Sequence, residues 1–221
     1  MLSKLFYFLS KKASRKNLNK FINISLSKII TEKNKPILNI GSGGELEELI
    51  RKKFNNIYSI DIDKKRNPSQ LLDICENDFS KKLNFKPTLI CCFEVLEHTK
   101  NPTIAIKNMY ELLNKGDYIL ASVPFNFHIH DEPNDYYRFT YYGLKMLFSD
   151  FSEVKIQKRN GWLESIFVNL IRLEKEKTIS SKILGKFFIL LYFILLPLIL
   201  LIQKFFISNK LTTGYYVEAK K

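Results

Sequence analysis

From Pro36 onward the amino-acid sequence predicts an α/β fold built on a doubly wound, mostly parallel sheet. Three observations carry that reading. Short apolar runs alternate with stretches whose apolar residues recur at helical spacing, the pattern of parallel strands and their covering helices. A glycine turn, Gly41-Ser42-Gly43-Gly44, separates the first such run from the first such helix. Aspartates follow the second and third runs, where strand C-termini line the crevice of an open sheet.

The first strand is Ile37 to Ile40. Glu45 to Phe54 follows the turn as a helix with Leu46, Leu49, Ile50 and Phe54 on one face. Its early Glu45, Glu47 and Glu48 and late Arg51, Lys52 and Lys53 complement the helix dipole. Strand two, Ile57 to Ile60, ends at Asp61, and a short third strand near Leu71 and Leu72 ends at Asp73. Leu89 to Phe93 is a wholly apolar fourth strand. Asn101-Pro102 supplies an N-cap and first-turn proline for a helix bearing Ile106, Met109, Tyr110 and Leu113, which Lys115-Gly116 closes. Tyr118 to Val123 is strand five, stopped by Pro124. After a polar, aromatic loop from Phe125 to Thr140, a helix near Tyr142 to Phe148 leads into strand six, about Phe151 to Lys158, and Tyr215 to Ala219 reads as a last strand. The sequence contains no internal repeat.

Length and charge divide the chain further. Its 221 residues, 46% of them hydrophobic, suit one domain with elaborations. The net charge of +13 sits at the two ends: residues 1–35 carry +8, residues 36–171 carry −1 and residues 172–221 carry +6. We therefore expect a basic amphipathic helical arm over 1–35, a core over 36–158 and 211–221, and an insertion over 159–210. That insertion holds FFILLYFILLPLILLI, 16 residues from Phe187 to Ile202 without a charge. About 20 apolar residues span a bilayer, so the run is borderline for one crossing, and Pro197 disfavours a straight helix. If the strands flanking the insertion share a sheet, the chain must leave and return on one side of a membrane. An in-plane helix, a hairpin bent at Pro197, or two helices packed on the body remain. Basic residues beside apolar anchors suit an anionic membrane surface, which makes a lipid surface the expected partner and nucleic acid an unlikely one. Leu5 to Leu9 is too short for a secretory signal, so the body is expected at the cytoplasmic face of a membrane, monotopic or peripheral. Cys75, Cys91 and Cys92 have neither disulfide nor zinc spacing, and no metal ligand set is expected.

A strand, glycine turn and helix present unpaired amides and a positive dipole end to a carboxylate or phosphate. Asp61 lies 20 residues beyond Gly41, where its carboxylate can accept both hydroxyls of a ribose. The dinucleotide fingerprint G-x-G-x-x-G fails at Leu46, which weakens a nicotinamide cofactor. The Tyr141 and Lys145 spacing, reminiscent of short-chain dehydrogenases, has no matching glycine motif.

The strings ILNIGSGG, IYSIDID, LLDI, CCFEVLEH, NMYELLNKGDYILASVPF and GYYVEAKK, in this order, resemble class I S-adenosylmethionine-dependent methyltransferases, in particular the methyltransferase type 11 group. The resemblance implies a Rossmann-like, seven-stranded sheet with an antiparallel last strand, and S-adenosyl-L-methionine as cofactor. It places Asn39, Gly41, Ser42 and Gly43 at the methionine moiety, Asp61 and Ile62 at the ribose, Asp73 and Ile74 at the adenine, and Cys92 and Phe93 beside the cofactor. Asn39 stands where the family's first motif usually has an acid, and Glu45 where a third glycine is frequent.

The loop PFNFHIHDEPNDYYRFT, after strand five at the cofactor's sheet edge, is the expected acceptor pocket. His130 is the first choice for a catalytic base and His128 the next, since an imidazole titrates near neutral pH. Tyr136, Tyr137 and Arg138 are candidate acceptor contacts, with an Asp135 to Arg138 clasp as the structural alternative. Glu97 and His98 resemble an acid-base pair, but their string recurs in the family with unrelated acceptors, which favours a structural role. The leading expectation is methylation, by preference at oxygen, of a lipid-linked, glycan or other small-molecule acceptor at a membrane surface. A non-catalytic scaffold or regulator retaining the fold is the alternative.

Overall fold

The computed structural model describes residues 2–29, 35–205 and 210–221; residues 30–34 of the expected arm and 206–209 of the expected insertion lie outside them. The strands are β1 (Ile37–Ile40), β2 (Ile57–Asp61), β3 (Gln70–Leu71), β4 (Leu89–Phe93), β5 (Tyr118–Pro124), β6 (Glu153–Lys158) and β7 (Gly214–Lys220). The helices are α1 (Leu2–Ile29), α2 (Gly44–Arg51), α3 (Pro102–Leu112), α4 (Tyr141–Leu147), α5 (Trp162–Arg172) and α6 (Ile179–Phe205). The seven strands form one sheet in the order β3-β2-β1-β4-β5-β7-β6. Neighbours from β3 to β5 pair in parallel, and β7 is antiparallel to both β5 and β6. The fold class is the predicted one, with the antiparallel strand placed between β5 and β6.

Strand side chains alternate between faces, and the buried residues sort accordingly. Ile37, Leu89, Cys91, Leu120 and Tyr216 face Leu18, Phe21, Ile22 and Leu26 of α1 and Ile50 of α2. Leu38, Ile90, Cys92, Ile119, Ala121 and Val217 face Ile106, Met109 and Leu112 of α3 and Leu144 of α4. Each fully buried Leu or Ile contributes roughly 1.5–3 kcal/mol relative to exposure. Local signals set the helix starts: Asn101 caps α3 by accepting from Ile104 N at 3.1 Å, and Thr140 caps α4 by accepting from Gly143 N at 3.0 Å.

The basic N-terminal segment is a layer of this body. Residues Leu18 to Leu26 of α1 cover the sheet, with the Phe21 ring stacked on Tyr216 at 4.5 Å. Further forward, Phe6 and Ala13 join Ile171 of α5 and Ile189, Tyr192 and Ile199 of α6 in a separate apolar cluster.

α6 is one helix of 27 residues with Pro197 inside it, so the hairpin bent at that proline does not form. One face packs on the body. Gly185 lets it approach closely, since a Cβ there would stand 2.1 Å from Glu174 N, and the Tyr192 hydroxyl donates to Glu164 Oε1 at 3.1 Å. The opposite face carries Ile183, Phe187, Leu190, Ile194, Leu198 and Leu201, spaced three or four residues apart and all exposed, Ile194 at 74%. Among the described residues α6 is the one helix long and apolar enough to cross a membrane, with mean hydropathy 2.5. At about 1.5 Å per residue it is about 40 Å long.

Candidate active site

At the end of β1 the chain turns at Gly41, whose φ is +87° and where a Cβ would lie 2.5 Å from Val95 Cγ2. Both the backbone conformation and the space demand glycine. Of the turn's amides, expected to be unpaired, those of Gly41, Ser42 and Gly43 have partners. Gly41 N donates to Ile60 O at 3.0 Å, Ser42 N to Asp61 Oδ2 at 2.8 Å and Gly43 N to Glu47 Oε2 at 2.6 Å. Glu47 also accepts from Ser42 Oγ at 3.1 Å and Asn39 Nδ2 at 3.3 Å, and from Arg51 Nε at 2.7 Å. Glu47 on α2 thus supplies the buried carboxylate that Asn39 lacks on β1. Burial opposes its charge, but the Gly43 amide and Arg51 outweigh burial and hold its carboxyl below the ordinary range.

Pairing of Ile40 with Ile60 and Cys92 brings Gly41, Asp61 and Phe93 to one sheet edge. Asp61 accepts from the turn through Oδ2 and from Asp63 N through Oδ1 at 2.9 Å. Each oxygen retains a lone pair, since a carboxylate has about four acceptor sites. Ile62 projects outward, 69% exposed. Asp73 Oδ1 accepts from Cys75 N at 2.8 Å. Ile74, expected at the adenine, buries its side chain in the core, and its carbonyl accepts from Asn108 Nδ2 at 2.6 Å. Cys92 is fully buried and Phe93 nearly so.

Past β4 the chain carries two acids, Glu94 half-buried and Glu97 fully buried. Glu94, at φ +56°, accepts from Ser122 Oγ at 2.6 Å and from Arg159 Nη2 at 2.5 Å. Arg159 is buried, also donates to Val123 O at 3.3 Å, and ties the ends of β4, β5 and β6 together. Burial opposes charge on Glu94, and Arg159 overcomes it, so the carboxyl is held below its ordinary range. Glu97 lies on a 3-10 turn, Leu96–His98, with its carboxylate fully buried. Its backbone carbonyl accepts from Tyr136 N at 2.8 Å and Tyr137 N at 3.2 Å, which anchors the acceptor loop over this turn. His98 Nε2 lies 3.9 Å and His130 Nε2 3.8 Å from Glu97 Oε1.

Within the loop, Arg138 commits every N–H group it has. Nη1 donates to Asp135 Oδ1 at 2.6 Å and Tyr137 O at 2.8 Å, Nη2 to Asp135 Oδ2 at 2.6 Å and His128 O at 2.9 Å, and Nε to Phe127 O at 3.2 Å. Arg138 is therefore the clasp of the loop and has no donor left for an acceptor. Burial opposes charge on Asp135, but this fork and the His130 amide hold its carboxyl down at about 2. Burial depresses both imidazoles: His128, further opposed by Arg172, falls to about 4, and His130 falls with it despite Asp135. Both rings are neutral at neutral pH. The hydroxyls of Tyr136 and Tyr137 donate to Asn134 Oδ1 at 2.7 Å and Lys100 O at 3.1 Å, and both rings are exposed.

A family model described as a methyltransferase domain matches residues 8–162 of this chain. The chain belongs to that methyltransferase family. The matched span runs from α1 to the first residue of α5 and includes both the glycine turn and the loop from Phe125 to Thr140. No curated protein sequence matches the chain. Among solved structures it is similar to a SAM-dependent methyltransferase from Archaeoglobus fulgidus, at 16% identity and a TM-score of 0.61 over 97% of this chain and 99% of that one. It is also similar to the N-methyltransferase NodS of Bradyrhizobium japonicum in complex with S-adenosyl-L-homocysteine, at 12% identity and TM-score 0.56 over 95% and 87% of the two chains. The [4+2]-cyclase SpnF aligns at 10% identity and TM-score 0.57 over 92% and 81%. At such identities the likeness is one of fold, and the methyltransferase assignment rests on the family match.

The structure thus brings Gly41, Ser42, Gly43, Asp61, Cys92, Phe93, His128 and His130 to one end of the sheet and turns Ile74 and Arg138 to internal duties. The expected site residues did not include Glu47, Glu94 or Arg159. The absence of an acid at position 39 was the available signal for Glu47.

Proposed function

We propose that this methyltransferase uses S-adenosyl-L-methionine to methylate, by preference at oxygen, a lipid-linked, glycan or other small-molecule acceptor at the cytoplasmic face of a membrane. The carrying observation is the exposed apolar stripe of α6, fixed to the same body as the site. A contiguous apolar face of that length is the mark of a surface that meets lipid or a partner. Its packed opposite face favours monotopic attachment along the membrane plane. The acceptor class follows from the neighbourhood. Lys11, Arg15, Arg172 and Lys175 line a small cavity of about 80 Å³ beside the loop, with Arg172 over the Phe127 ring at 5.3 Å. Burial and the nearby Arg15 lower the Arg172 guanidinium to about 10, and since Glu45 pairs with Lys11 at 2.7 Å and Arg15 at 3.7 Å, Arg172 and Lys175 are the cations that an anionic headgroup or phosphate would meet.

The donor fits the crevice on its own terms. Gly41 keeps the turn clear of side chains, and Asp61 keeps free lone pairs toward a ribose. Bound there, the donor supplies an electrophilic methyl group on a sulfonium. Asp61 fixes the ribose, Asp73 the adenine edge, and the end of β4 at Phe93 brings its backbone beside the cofactor. His130 or His128 receives the acceptor's proton, each imidazole being neutral and so able to accept one. Tyr136 and Tyr137 offer exposed rings for the acceptor's apolar or sugar surface.

Calorimetry of S-adenosyl-L-methionine binding to the detergent-solubilised full chain tests the donor site, with Asp61→Ala as control. Saturable binding lost in the variant is the expected result, and a folded wild type that binds nothing would leave the scaffold reading in its place. Flotation with anionic vesicles tests the surface. The wild type should float, the Ile194→Lys, Leu198→Lys double variant should not, and equal flotation of both would remove α6 as the anchor.

A further inference from the structure

We infer that Glu97, His98 and His130 form a site for one divalent cation of borderline softness, Zn²⁺ in type, with its remaining positions open to an oxygen-bearing ligand. One ligand atom from each of the three residues lies within 4.8 Å of the other two. A tetrahedral ion about 2.1 Å from each ligand sets them about 3.4 Å apart, so the observed 3.8 and 3.9 Å separations of Glu97 Oε1 from the two Nε2 atoms need only small ring rotations.

The second observation is the state of Glu97 itself. Its side chain has no exposure, and neither carboxylate oxygen has a hydrogen-bond partner. Nearby acids are treated differently: the half-buried Glu94 is matched by Arg159 and Ser122, and the buried Glu47 by Arg51 and the glycine turn. An unpaired buried carboxylate costs several kcal/mol unless a positive charge or a proton meets it.

The histidines are prepared in the same sense. His98 Nδ1 lies 2.7 Å from Asn134 O, which requires Nδ1 to carry the proton and leaves the Nε2 lone pair toward Glu97. His130 Nδ1 lies 3.3 Å from Asp135 Oδ2 and 3.4 Å from His128 O, with the same consequence. Asp135 is in turn locked by Arg138. A carboxylate or carbonyl behind each imidazole is the outer-sphere arrangement that orients metal-binding histidines. Two imidazoles and one carboxylate favour zinc over magnesium or manganese, which prefer oxygen ligands. Both rings are about one-fifth exposed, so the site opens toward the acceptor loop and a cation can enter. With the cation bound, His130 Nε2 is a ligand, and His128 is the histidine left to take a proton.

The test uses the full chain in detergent, stripped with chelator and titrated by calorimetry with Zn²⁺ alone, with Co²⁺ as a spectroscopic probe of coordination. One equivalent should bind, and the visible Co²⁺ spectrum should show imidazole ligation. His98→Ala and His130→Ala should each abolish the tight equivalent, and Asp135→Asn should weaken it by about 10- to 100-fold. Circular dichroism establishes that each variant is folded. No tight equivalent in the wild type, or an unchanged affinity and Co²⁺ spectrum in the folded His98→Ala, His130→Ala double variant, would overturn the site. Because neither donor nor acceptor is present, the outcome is independent of the methyl-transfer reading.

Discussion

Replacing Arg159 by methionine should be among the most damaging single changes in the body that leave the apolar core intact. The guanidinium is 5% exposed and approaches Glu94 Oε1 at 2.5 Å. At an effective dielectric of about 20 the attraction at that distance is about 7 kcal/mol. Desolvation of both ions offsets much of this, and removing one partner of such a pair costs about 3–5 kcal/mol because the other is stranded. That is a large part of the roughly 5–15 kcal/mol that holds a domain folded. Urea denaturation of the solubilised chain, followed by the fluorescence of Trp162, the single tryptophan, reads the loss as a fall in midpoint of about 1–2 M. Glu94→Gln in the Arg159→Met background removes the stranded charge, so the double variant should recover at least half of the loss, a coupling that a double-mutant cycle isolates. A single-variant cost under about 1 kcal/mol, the range of solvent-exposed pairs, or strictly additive losses would refute this account of the junction.

Two further outcomes follow from the turn and its acids. Gly41→Ala forces a side chain to φ +87° and into Val95 Cγ2, and should cost about 2–5 kcal/mol from backbone strain and overpacking together. Val95→Ala in that background should return the steric share but not the backbone share in the same denaturation assay. Glu47 and Glu94 both have carboxyls held below their ordinary 4.5, so the stability they contribute is present above that value and is lost as pH falls through their folded values. Thermal denaturation against pH should therefore show a steep acid limb that Glu47→Gln flattens.

Much of the sheet was legible because parallel strands buried on both faces are apolar, as Leu89–Phe93 is throughout and Ile37–Ile40 is at every position but Asn39. The cap at Asn101 acts over three residues, so sequence alone locates that helix start, whereas the Thr140 cap places α4 one residue before the expected Tyr142. The packing of α1 was not legible. Its core residues Leu18, Ile22 and Leu26 are separated by lysine, asparagine and serine, and the overall basic character dominates the reading. In the site, the glycines and Asp61 stand out because each answers a local backbone or strand-end requirement. Glu47, Arg159 and the Asp135 to Arg138 clasp are defined by their partners. Arg159 meets an acid 65 positions away, a distance that no short motif spans.

The placement of β7 has a consequence for how the chain is made. β6 joins the sheet only through β7, which follows α6 in the sequence. A ribosome releasing the chain from its N-terminus at about 5–20 residues per second therefore exposes the greasy face of α6 before the sheet has its final rung. The nascent body must hold an open edge on β5 while its stickiest helix is already in solution. An early landing of α6 on a bilayer would shelter that helix during the interval and keep neighbouring nascent chains from pairing with the waiting edge.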